Sequence, residues 1–376
     1  MIEYSPTKFI LLKVANRCNL NCTYCYWFKD KSVYEKSKII NADVLQAFYL
    51  KLRRHIIKYK LSEFTVSLHG GEPLLAGKNV ILGILNELTC IGKETSCLVK
   101  FHIQSNILLC DEEWIEMFKT FNVRLGVSID GPKSTHDLYR VDLAGKPTFD
   151  RTMVVIDKLK EKKIHFGLLA VCDPLSDPEE ICDFFINKLG ITSFDILIPD
   201  ANHDNIIIPK IKDYYIKLIK IWYERYYYEG VDIRIVKNIL RGIIGKKSRM
   251  QAIGFVPIDT CMIKPDGELE ALDSLHSIGY NSTKGALNIL NNEIDDISKD
   301  TFWKEVFEKS IQLNSKCLIC KYQLACGGGH IASRWSKERR FDNPSVYCDQ
   351  LYDIFEFSNQ FVLDKLKSYK VENRVV

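Results

Sequence analysis

The sequence predicts an α/β fold in which six β/α units form a partial, open barrel of the TIM type. From residue 8 to about residue 200, short runs rich in β-branched and aromatic residues alternate with stretches whose apolar residues recur at helical spacing. This alternation is typical of a parallel sheet with helices on its outer face. Because a closed barrel of this type has eight units, about six units predict an open one. The motifs described below follow predicted strands, which is where such folds place functional residues.

The predicted elements follow one another without long gaps. Strands are predicted at KFILLKVAN, FTVSLH, LVKFHIQSN, VRLGVSID, IHFGLLAVC and SFDILIPD. Helices are predicted at NADVLQAFYLKLRRHIIKY, NVILGILNELTCI, DEEWIEMFKTF, TFDRTMVVIDKLKEKK and DPEEICDFFINKLG, and the first has capping residues at Asn41 and Asp43. We expect the barrel at residues 1–201, a mostly helical bridge at 202–257, and an irregular, cysteine-rich domain with a C-terminal helix at 258–376.

The composition argues against several classes of protein. With 46% hydrophobic and 27% charged residues, the chain resembles an ordinary globular protein, and no apolar run is long enough to span a bilayer. The net charge of +4 is small and both signs are interspersed, so we expect neither nucleic acid nor a membrane as a partner. The N-terminal run lacks the pattern of a secretory signal, which predicts a cytoplasmic protein.

Thirteen cysteines are many for a reducing compartment, where clustered cysteines more often bind metal or carry chemistry than form disulfides. Eight of them lie in or near two tight groups. The other five are scattered through apolar segments, and we expect them to be buried core residues: Cys90, Cys97, Cys110, Cys172 and Cys182.

The first group, Cys18, Cys22 and Cys25, has C-x3-C-x2-C spacing and follows the first predicted strand. Three thiolates on one loop can hold three irons of a [4Fe–4S] cluster and leave the fourth iron open to a ligand. The alternative is a structural zinc site, which needs a fourth ligand. None follows within a few residues.

The run RCNLNCTYCYWF resembles the signature of radical S-adenosylmethionine (SAM) enzymes. This resemblance implies that S-adenosylmethionine chelates the open iron through its amino and carboxylate groups. One electron from the cluster then yields methionine and a 5′-deoxyadenosyl radical, which abstracts hydrogen from a substrate. Tyr24 would lie near the adenine.

Three further motifs, each after a predicted strand, fit the same family. The run HGGEP is similar to the family's GGE motif, and QSN and SIDGP, with a later Tyr-Arg pair, are similar to its other cofactor contacts. A bare glycine backbone allows a close approach to a ligand. The resemblance implies that Ser128 contacts ribose and Arg140 the carboxylate. The full set of implied cofactor contacts is Tyr24, Gly70, Gly71, Glu72, Ser105, Asn106, Ser128, Asp130 and Arg140.

The second group is Cys317-x2-Cys320-x5-Cys326, followed by Cys348, a complete set of thiolates for one closed [4Fe–4S] cluster. A zinc ribbon is the alternative that spacing alone leaves open. The region resembles the SPASM domain of radical SAM peptide maturases, which ordinarily binds two auxiliary clusters.

This sequence departs from the SPASM pattern at two cysteine positions, occupied by Leu272 and His330. We therefore expect one auxiliary [4Fe–4S] cluster. A second auxiliary cluster, on Cys261 and His330, is the less favoured alternative.

The tail CGGGHIASRWSKERRFDNPSVYC is similar to that of maturases that cross-link side chains of ribosomally made peptides, including cyclophane-forming enzymes. The resemblance implies an oxidoreductase that installs a carbon–carbon cross-link on a precursor peptide. Such a reaction removes a ring proton and an electron, so a base is useful. Asp273 lies where related enzymes have a catalytic aspartate, and it is the candidate base.

Several alternatives stay open at this stage. Within the same chemistry they are thioether formation, epimerisation and anaerobic sulfatase maturation, the last disfavoured by the missing cysteines. A zinc-stabilised binding protein is the non-enzyme alternative. About seven residues precede the first predicted strand, so we expect no N-terminal module for a peptide leader. We also expect a flavodoxin- or ferredoxin-like electron donor, which the mild positive charge would suit if that donor is acidic.

Overall fold

The computed structural model describes residues 6–248, 250–258, 260–279 and 281–372. The chain forms two compact units: a first unit of Met1–Leu169 and Ile258–Phe307, and a second unit of Ala170–Pro257 and Glu308–Val376. These units differ from the predicted division at residues 201 and 257, because residues 258–307 belong to the first unit together with the N-terminal strands.

Nine strands are described. They are β1 (Phe9–Ala15), β2 (Glu63–Gly70), β3 (Leu98–Ser105), β4 (Arg124–Ser128), β5 (Phe166–Val171), β6 (Ser193–Leu197), β7 (Asp232–Ile233), β8 (Cys261–Ile263) and β9 (Leu269–Glu270). Strands β1 to β5 follow the predicted runs, and their neighbours pair in parallel. On the other side of β1, β8 pairs in parallel and β9 then pairs antiparallel to β8. In the second unit, β6 pairs in parallel with β7.

The described helices are α1 (Ala42–Tyr59), α2 (Lys78–Thr95), α3 (Glu112–Thr120), α4 (Lys133–Tyr139), α5 (Phe149–Glu161), α6 (Pro178–Asp183), α7 (Lys212–Ile221), α8 (Arg234–Ile243), α9 (Thr301–Ile311), α10 (Ser315–Leu318), α11 (Gln323–Cys326) and α12 (Cys348–Glu372). The alternation of strands and helices confirms the predicted α/β class. Helix α4 and strands β7, β8 and β9 were not predicted.

The central strand β1 explains how the sheet positions a functional residue. Its run FILLKVA is nearly all apolar, as expected of a strand covered on both faces, and six of its seven residues are buried. The one charged residue of β1 is Lys13, which is 0% exposed although it carries an ammonium group. A buried ammonium group is costly unless an anion lies near it. The acidic partner of Lys13 belongs to the site described below.

Four of the five scattered cysteines are buried. Cys97, Cys110, Cys172 and Cys182 are buried as predicted, but the prediction was wrong for Cys90, which is exposed on α2. It lies outside the face of α2 that carries the buried residues Ile84, Leu88 and Ile91. No helix within the described ranges is both long and apolar enough to cross a bilayer.

Candidate functional site

The three cysteines of the first group lie on the loop that follows β1. Cys18, Cys22 and Cys25 are each partly exposed, and the N–H of Cys25 donates to the carbonyl of Cys22 at 3.1 Å. The Cys18 Sγ accepts from the N–H of Leu20 at 3.3 Å. Burial raises the pKa of all three thiols, that of Cys22 to about 11, and charges on Cys22 and Cys25 raise that of Cys18 further. The three sulfurs are therefore close enough to influence one another.

The Gly70–Gly71 turn after β2 packs directly on the start of this loop. A Cβ on Gly70 would lie 2.2 Å from the carbonyl oxygen of Ala15, and one on Gly71 would lie 2.5 Å from that of Arg17. The N–H of Gly71 donates to Ala15 at 2.9 Å. The structure shows that this glycine backbone approaches the protein's own chain at the base of the cysteine loop, and its approach to a ligand stays a prediction.

Glu72 connects this turn to the end of β3. Its buried carboxylate accepts from the Ser105 hydroxyl at 2.7 Å, the N–H of Asn106 at 2.8 Å and the N–H of Leu74 at 3.0 Å. Burial raises the pKa of Glu72 to about 7. The Asn106 amide in turn lies 3.7 Å from the Cys18 sulfur. Glu72, Ser105 and Asn106 thus form one hydrogen-bonded group beside the first cysteine.

Tyr24, Asp130 and Arg140 form a second group. The Tyr24 hydroxyl donates to Asp130 at 2.6 Å, and the Arg140 guanidinium binds the same carboxylate through two hydrogen bonds of 2.9 and 3.1 Å. Arg140 also lies against the Tyr24 ring, 5.6 Å from its centroid. The cysteine loop is fixed to this segment because the N–H of Thr23 donates to the Tyr139 carbonyl at 3.1 Å.

Ser128, at the end of β4, accepts a hydrogen bond of 2.8 Å from the Gln104 amide of β3. The structure therefore brings the predicted cofactor contacts to the carboxyl ends of β1 to β4 or to the loops that follow them, except Arg140, which lies at the end of α4.

The four C-terminal cysteines all lie in the second unit. Cys317 is buried and Cys320, Cys326 and Cys348 are partly exposed. Burial raises the pKa of the Cys317 thiol, and charges on Cys348 and Cys320 raise it further. Burial likewise raises the pKa of Cys326 to about 12, and charges on Cys317 and Cys348 add to this shift. Each of the four thiols therefore lies within electrostatic reach of at least two of the others.

A family model and several known proteins match this chain. The model of the radical SAM superfamily matches residues 12–185. An uncharacterized protein of Methanocaldococcus jannaschii is 32% identical over 214 residues, covering 55% of this chain and 68% of that protein. The chain belongs to the radical SAM superfamily.

Relatives of named activity match as well. The cysteine-type anaerobic sulfatase-maturating enzyme of Clostridium novyi (strain NT) is 26% identical over 371 residues, covering 92% of this chain and 94% of that enzyme. The serine-type anaerobic sulfatase-maturating enzyme of Bacteroides thetaiotaomicron is 28% identical over 187 residues, covering 48% of this chain and 44% of that enzyme.

The solved structure of native anSMEcpe with bound AdoMet and Cp18Cys peptide superposes with a TM-score of 0.80 at 22% identity, covering 96% of this chain and 99% of that one. This match confirms the fold predicted from the sequence, a partial (β/α)6 barrel with an appended C-terminal domain. The family assignment makes the protein a radical SAM enzyme, whose cofactors are a [4Fe–4S] cluster and S-adenosylmethionine.

The residues of this radical SAM enzyme fit those cofactors. A cluster spreads its irons over a cuboidal core, so its thiolates stand farther apart than the ligands of a single ion. Over the described part of the chain, no three His, Cys, Asp or Glu side chains converge in the way a single metal ion requires, which gives no support to the zinc alternative. Cys18, Cys22 and Cys25 would hold the cluster, with the Glu72 and Asp130 groups flanking it.

The enzyme has a third group of residues in the first unit, which sequence reasoning found only in part. Asp273, the predicted base, accepts from the Lys13 ammonium at 2.8 Å and from the Tyr26 hydroxyl at 2.5 Å, both at Oδ2. Lys13 also lies 3.0 Å from Nδ1 of His69. Lys13 and Tyr26 were missed, although a lysine inside an apolar strand and a tyrosine directly after Cys25 were the available signals.

Electrostatics distinguish the members of this group. Burial raises the pKa of Asp273, but Lys13 and the neighbouring groups lower it by more, so the carboxylate stays ionised. Burial and the Lys13 charge lower the pKa of His69 to about 4, which keeps the imidazole neutral. The group is therefore a lysine–carboxylate pair next to a neutral histidine.

A fourth group was missed altogether. The His276 imidazole lies between two buried carboxylates, 3.0 Å from Asp30 and 2.9 Å from Glu270. Lys264 binds the other oxygen of Glu270 at 2.9 Å, and His276 packs on Trp27 with ring centroids 4.3 Å apart. Asp30 and Trp27 belong to the cysteine loop, so this group ties that loop to the turn Asp273–Ile278 that carries the candidate base.

The two residues considered for a second auxiliary cluster, Cys261 and His330, belong to different units. Cys261 is 0% exposed in β8 of the first unit, where it pairs with Ile10. Burial, and then the charge of Asp295, raise its pKa to about 12, with no other cysteine among the causes. His330 belongs to the second unit. The expectation of a single auxiliary cluster stays a prediction.

Proposed function

We propose that this radical SAM enzyme oxidises a side chain within a peptide substrate. Support comes from the similarity to anaerobic sulfatase-maturating enzymes, which extends over nearly the whole chain, and from the likeness to a protein solved with a bound peptide. These comparisons favour the sulfatase-maturating type of reaction over the carbon–carbon cross-link that the tail of the sequence suggested.

The proposed division of labour follows the groups described above. When bound at Cys18, Cys22 and Cys25, the cluster and S-adenosylmethionine supply the radical that abstracts a hydrogen atom. The Glu72 group and the Tyr24–Asp130–Arg140 group would orient the cofactor, because their buried polar atoms lie beside the cysteine loop.

One observation carries the peptide-oxidation proposal furthest: the Tyr26 hydroxyl, on the residue directly after Cys25, donates to Asp273. This contact lies beside the loop whose cysteines would hold the radical cluster. Lys13 and Tyr26 both bind Oδ2, and no hydrogen bond to Oδ1 is seen within the described residues. The Asp273 side chain is 13% exposed, and we propose that its Oδ1 accepts the proton that an oxidised side chain releases.

A cross-link between two side chains is the second candidate function. The observation that favours it is the replacement of two cysteines of the sulfatase-maturating pattern by Leu272 and His330. Both reactions remove two hydrogen atoms from the peptide, so both use the same radical and the same base. In either case the proposed partners are a precursor peptide and a flavodoxin- or ferredoxin-like electron donor.

A peptide assay separates the two candidates. Reduced, reconstituted enzyme is incubated anaerobically with S-adenosylmethionine and either a cysteine-containing peptide or a precursor peptide encoded beside its gene. Oxidation at one side chain gives an aldehyde-level product that a hydrazide reagent captures. A cross-link gives a product that has lost two hydrogens, resists the reagent and lacks fragment ions between the joined residues. Formation of 5′-deoxyadenosine with unchanged peptide in both cases would contradict peptide oxidation.

The variant Asp273→Asn tests the base. We expect 5′-deoxyadenosine formation to continue and peptide product to fall at least about 100-fold, the contribution typical of a general base. Asp266→Asn is the control, because it removes a carboxylate of the same unit whose ion pair with Lys36 is only partly buried. A normal product yield from Asp273→Asn would sink this assignment.

Because Asp273→Asn leaves Lys13 without its partner, Tyr26→Phe provides a gentler check. It removes one hydrogen bond to Oδ2, which raises the pKa of Asp273. The carboxylate and its ion pair with Lys13 remain, so peptide product should fall less than in Asp273→Asn, with cofactor cleavage retained. A loss of product as large as in Asp273→Asn would mean that the tyrosine hydroxyl, and not the carboxylate, is what the reaction requires.

A further inference from the structure

The second unit contains a buried arginine that lacks a carboxylate partner within the described part of the chain. Arg334 is 4% exposed, and its guanidinium donates to the carbonyls of Gly328 at 3.0 Å, Gly329 at 2.9 Å and Lys309 at 2.8 Å, and also to that of Gly327. Four of its N–H groups are therefore satisfied. Among the residues that the structure describes, no carboxylate forms an ion pair with Arg334.

The glycine loop that receives these hydrogen bonds is shaped for the arginine. Gly327, Gly328 and Gly329 have φ values of 63°, 77° and 72°, a left-handed conformation that favours glycine at three successive positions. A Cβ on Gly328 would lie 2.9 Å from the guanidinium carbon. The N–H of Gly328 donates to the Cys326 thiol. One loop therefore binds Arg334 through its carbonyls and Cys326 through an amide.

Hydrogen bonds to carbonyls do not neutralise the charge. A buried cation is costly unless an anion lies near it. Burial lowers the pKa of the Arg334 guanidinium, and among the described residues the charges of the Cys326 and Cys317 thiols oppose that shift. Protonated thiols would leave the cation uncompensated, whereas thiolates bound to a [4Fe–4S] core form a group of net negative charge.

We propose that Arg334 is the counter-ion of an auxiliary cluster on Cys317, Cys320, Cys326 and Cys348, and that it raises the reduction potential of that cluster. The inference rests on the proposed single auxiliary cluster. Reduction adds one negative charge to the cluster, and a fixed cation at short range in a medium of low dielectric constant stabilises the reduced state more than the oxidised one.

The test uses the full chain with Cys18, Cys22 and Cys25 all changed to Ala, so that only the auxiliary cluster contributes. The midpoint potential is measured by a redox titration followed by electron paramagnetic resonance. In Arg334→Gln we expect the ratio of reduced to oxidised cluster, at the midpoint of the parent protein, to fall at least tenfold, or about 59 mV for a one-electron couple. Arg334→Lys keeps the charge and should shift less, and Arg339→Gln, on an exposed arginine of the same unit, should not shift.

The other outcomes of these measurements also support or overturn the role of Arg334 as a counter-ion. An unchanged potential in Arg334→Gln overturns the proposal. Loss of iron from Arg334→Gln but not from Arg334→Lys supports it, because the charge is then needed to hold the cluster. Loss of iron from both variants overturns it, because the arginine then only shapes the glycine loop. If the parent protein with the three alanines binds no iron, the proposals of an auxiliary cluster and of its counter-ion are both overturned. Cofactor cleavage by the native enzyme would then show that the radical site is intact.

Discussion

Replacing His276 tests whether the buried charge network of the first unit holds the candidate site together. His276, Asp30 and Glu270 have side chains that are 0–1% exposed, so a phenylalanine at position 276 would leave two buried carboxylates without their shared partner. Breaking one buried ion pair in this way typically costs about 3–5 kcal/mol. Phenylalanine preserves the aromatic packing on Trp27, so the change removes mainly charge and hydrogen bonds.

In a folding unit of this size, each kcal/mol lowers the melting temperature by about 2–4 °C, so we expect His276→Phe to melt about 6–20 °C below the native protein. The effect should depend on pH. Burial lowers the pKa of His276, but Glu270 and Asp30 raise it by more. A histidine with a raised pKa contributes its full stability below its unfolded pKa of about 6.5 and loses it as the pH rises through the folded value. The gap between the two proteins should therefore be largest near pH 6 and narrow at alkaline pH.

Thermal unfolding followed by circular dichroism at several pH values measures both effects. His165→Gln, an exposed histidine of the same unit, is the control and should melt with the native protein. His276→Gln keeps one donor and should fall between the two. A shift of less than about 2 °C in His276→Phe, or a gap that widens at alkaline pH, would refute the assignment of His276 as a buried cation.

Two further predictions concern the clusters. By iron analysis, the anaerobically reconstituted native enzyme should contain about eight irons. The variant with Cys18, Cys22 and Cys25 changed to Ala should contain about four. About twelve irons in the native enzyme would mean a second auxiliary cluster. Gly71→Ala should lose the radical cluster and cofactor cleavage but keep the auxiliary irons, because its Cβ would lie 2.5 Å from the Arg17 carbonyl and 3.0 Å from the Cys18 amide. Gly83→Ala has open space around its Cβ and should behave as native, and an intact radical cluster in Gly71→Ala would contradict this packing argument.

Local patterns were enough to predict much of the barrel. The runs that became β1 to β6 are apolar and bounded by polar turns, and the helices between them show apolar residues at helical spacing, as α1 does with Val44, Phe48, Leu52 and Ile56. The cysteine, glycine and polar motifs follow these strands, so their gathering at one edge followed from the parallel topology.

Long-range contacts could not be predicted in the same way. Strands β8 and β9 have only three and two residues, too short for a periodic signal, yet β8 pairs with β1 and brings residues 258–307 into the first unit. That pairing places Asp273 beside Lys13, which is 260 residues away in sequence. The boundary predicted at residue 257 assigned this segment to the C-terminal domain because nothing local reports on its partner.

The buried cations of the two units differ in their partners. In the first unit, Lys13 is paired with Asp273, Arg140 with Asp130 and Lys264 with Glu270, so each of these cations meets a carboxylate. Arg334 of the second unit has carbonyl and thiol neighbours instead. If the chain follows the same electrostatic rule in both units, the missing negative charge must be supplied at the cysteines. The arginine therefore supports the proposal that the C-terminal cysteines are ionised and hold a metal group, because four thiolates leave a net negative charge on an iron–sulfur core and on a zinc ion alike, whereas protonated thiols leave none. Iron analysis then separates the cluster from zinc.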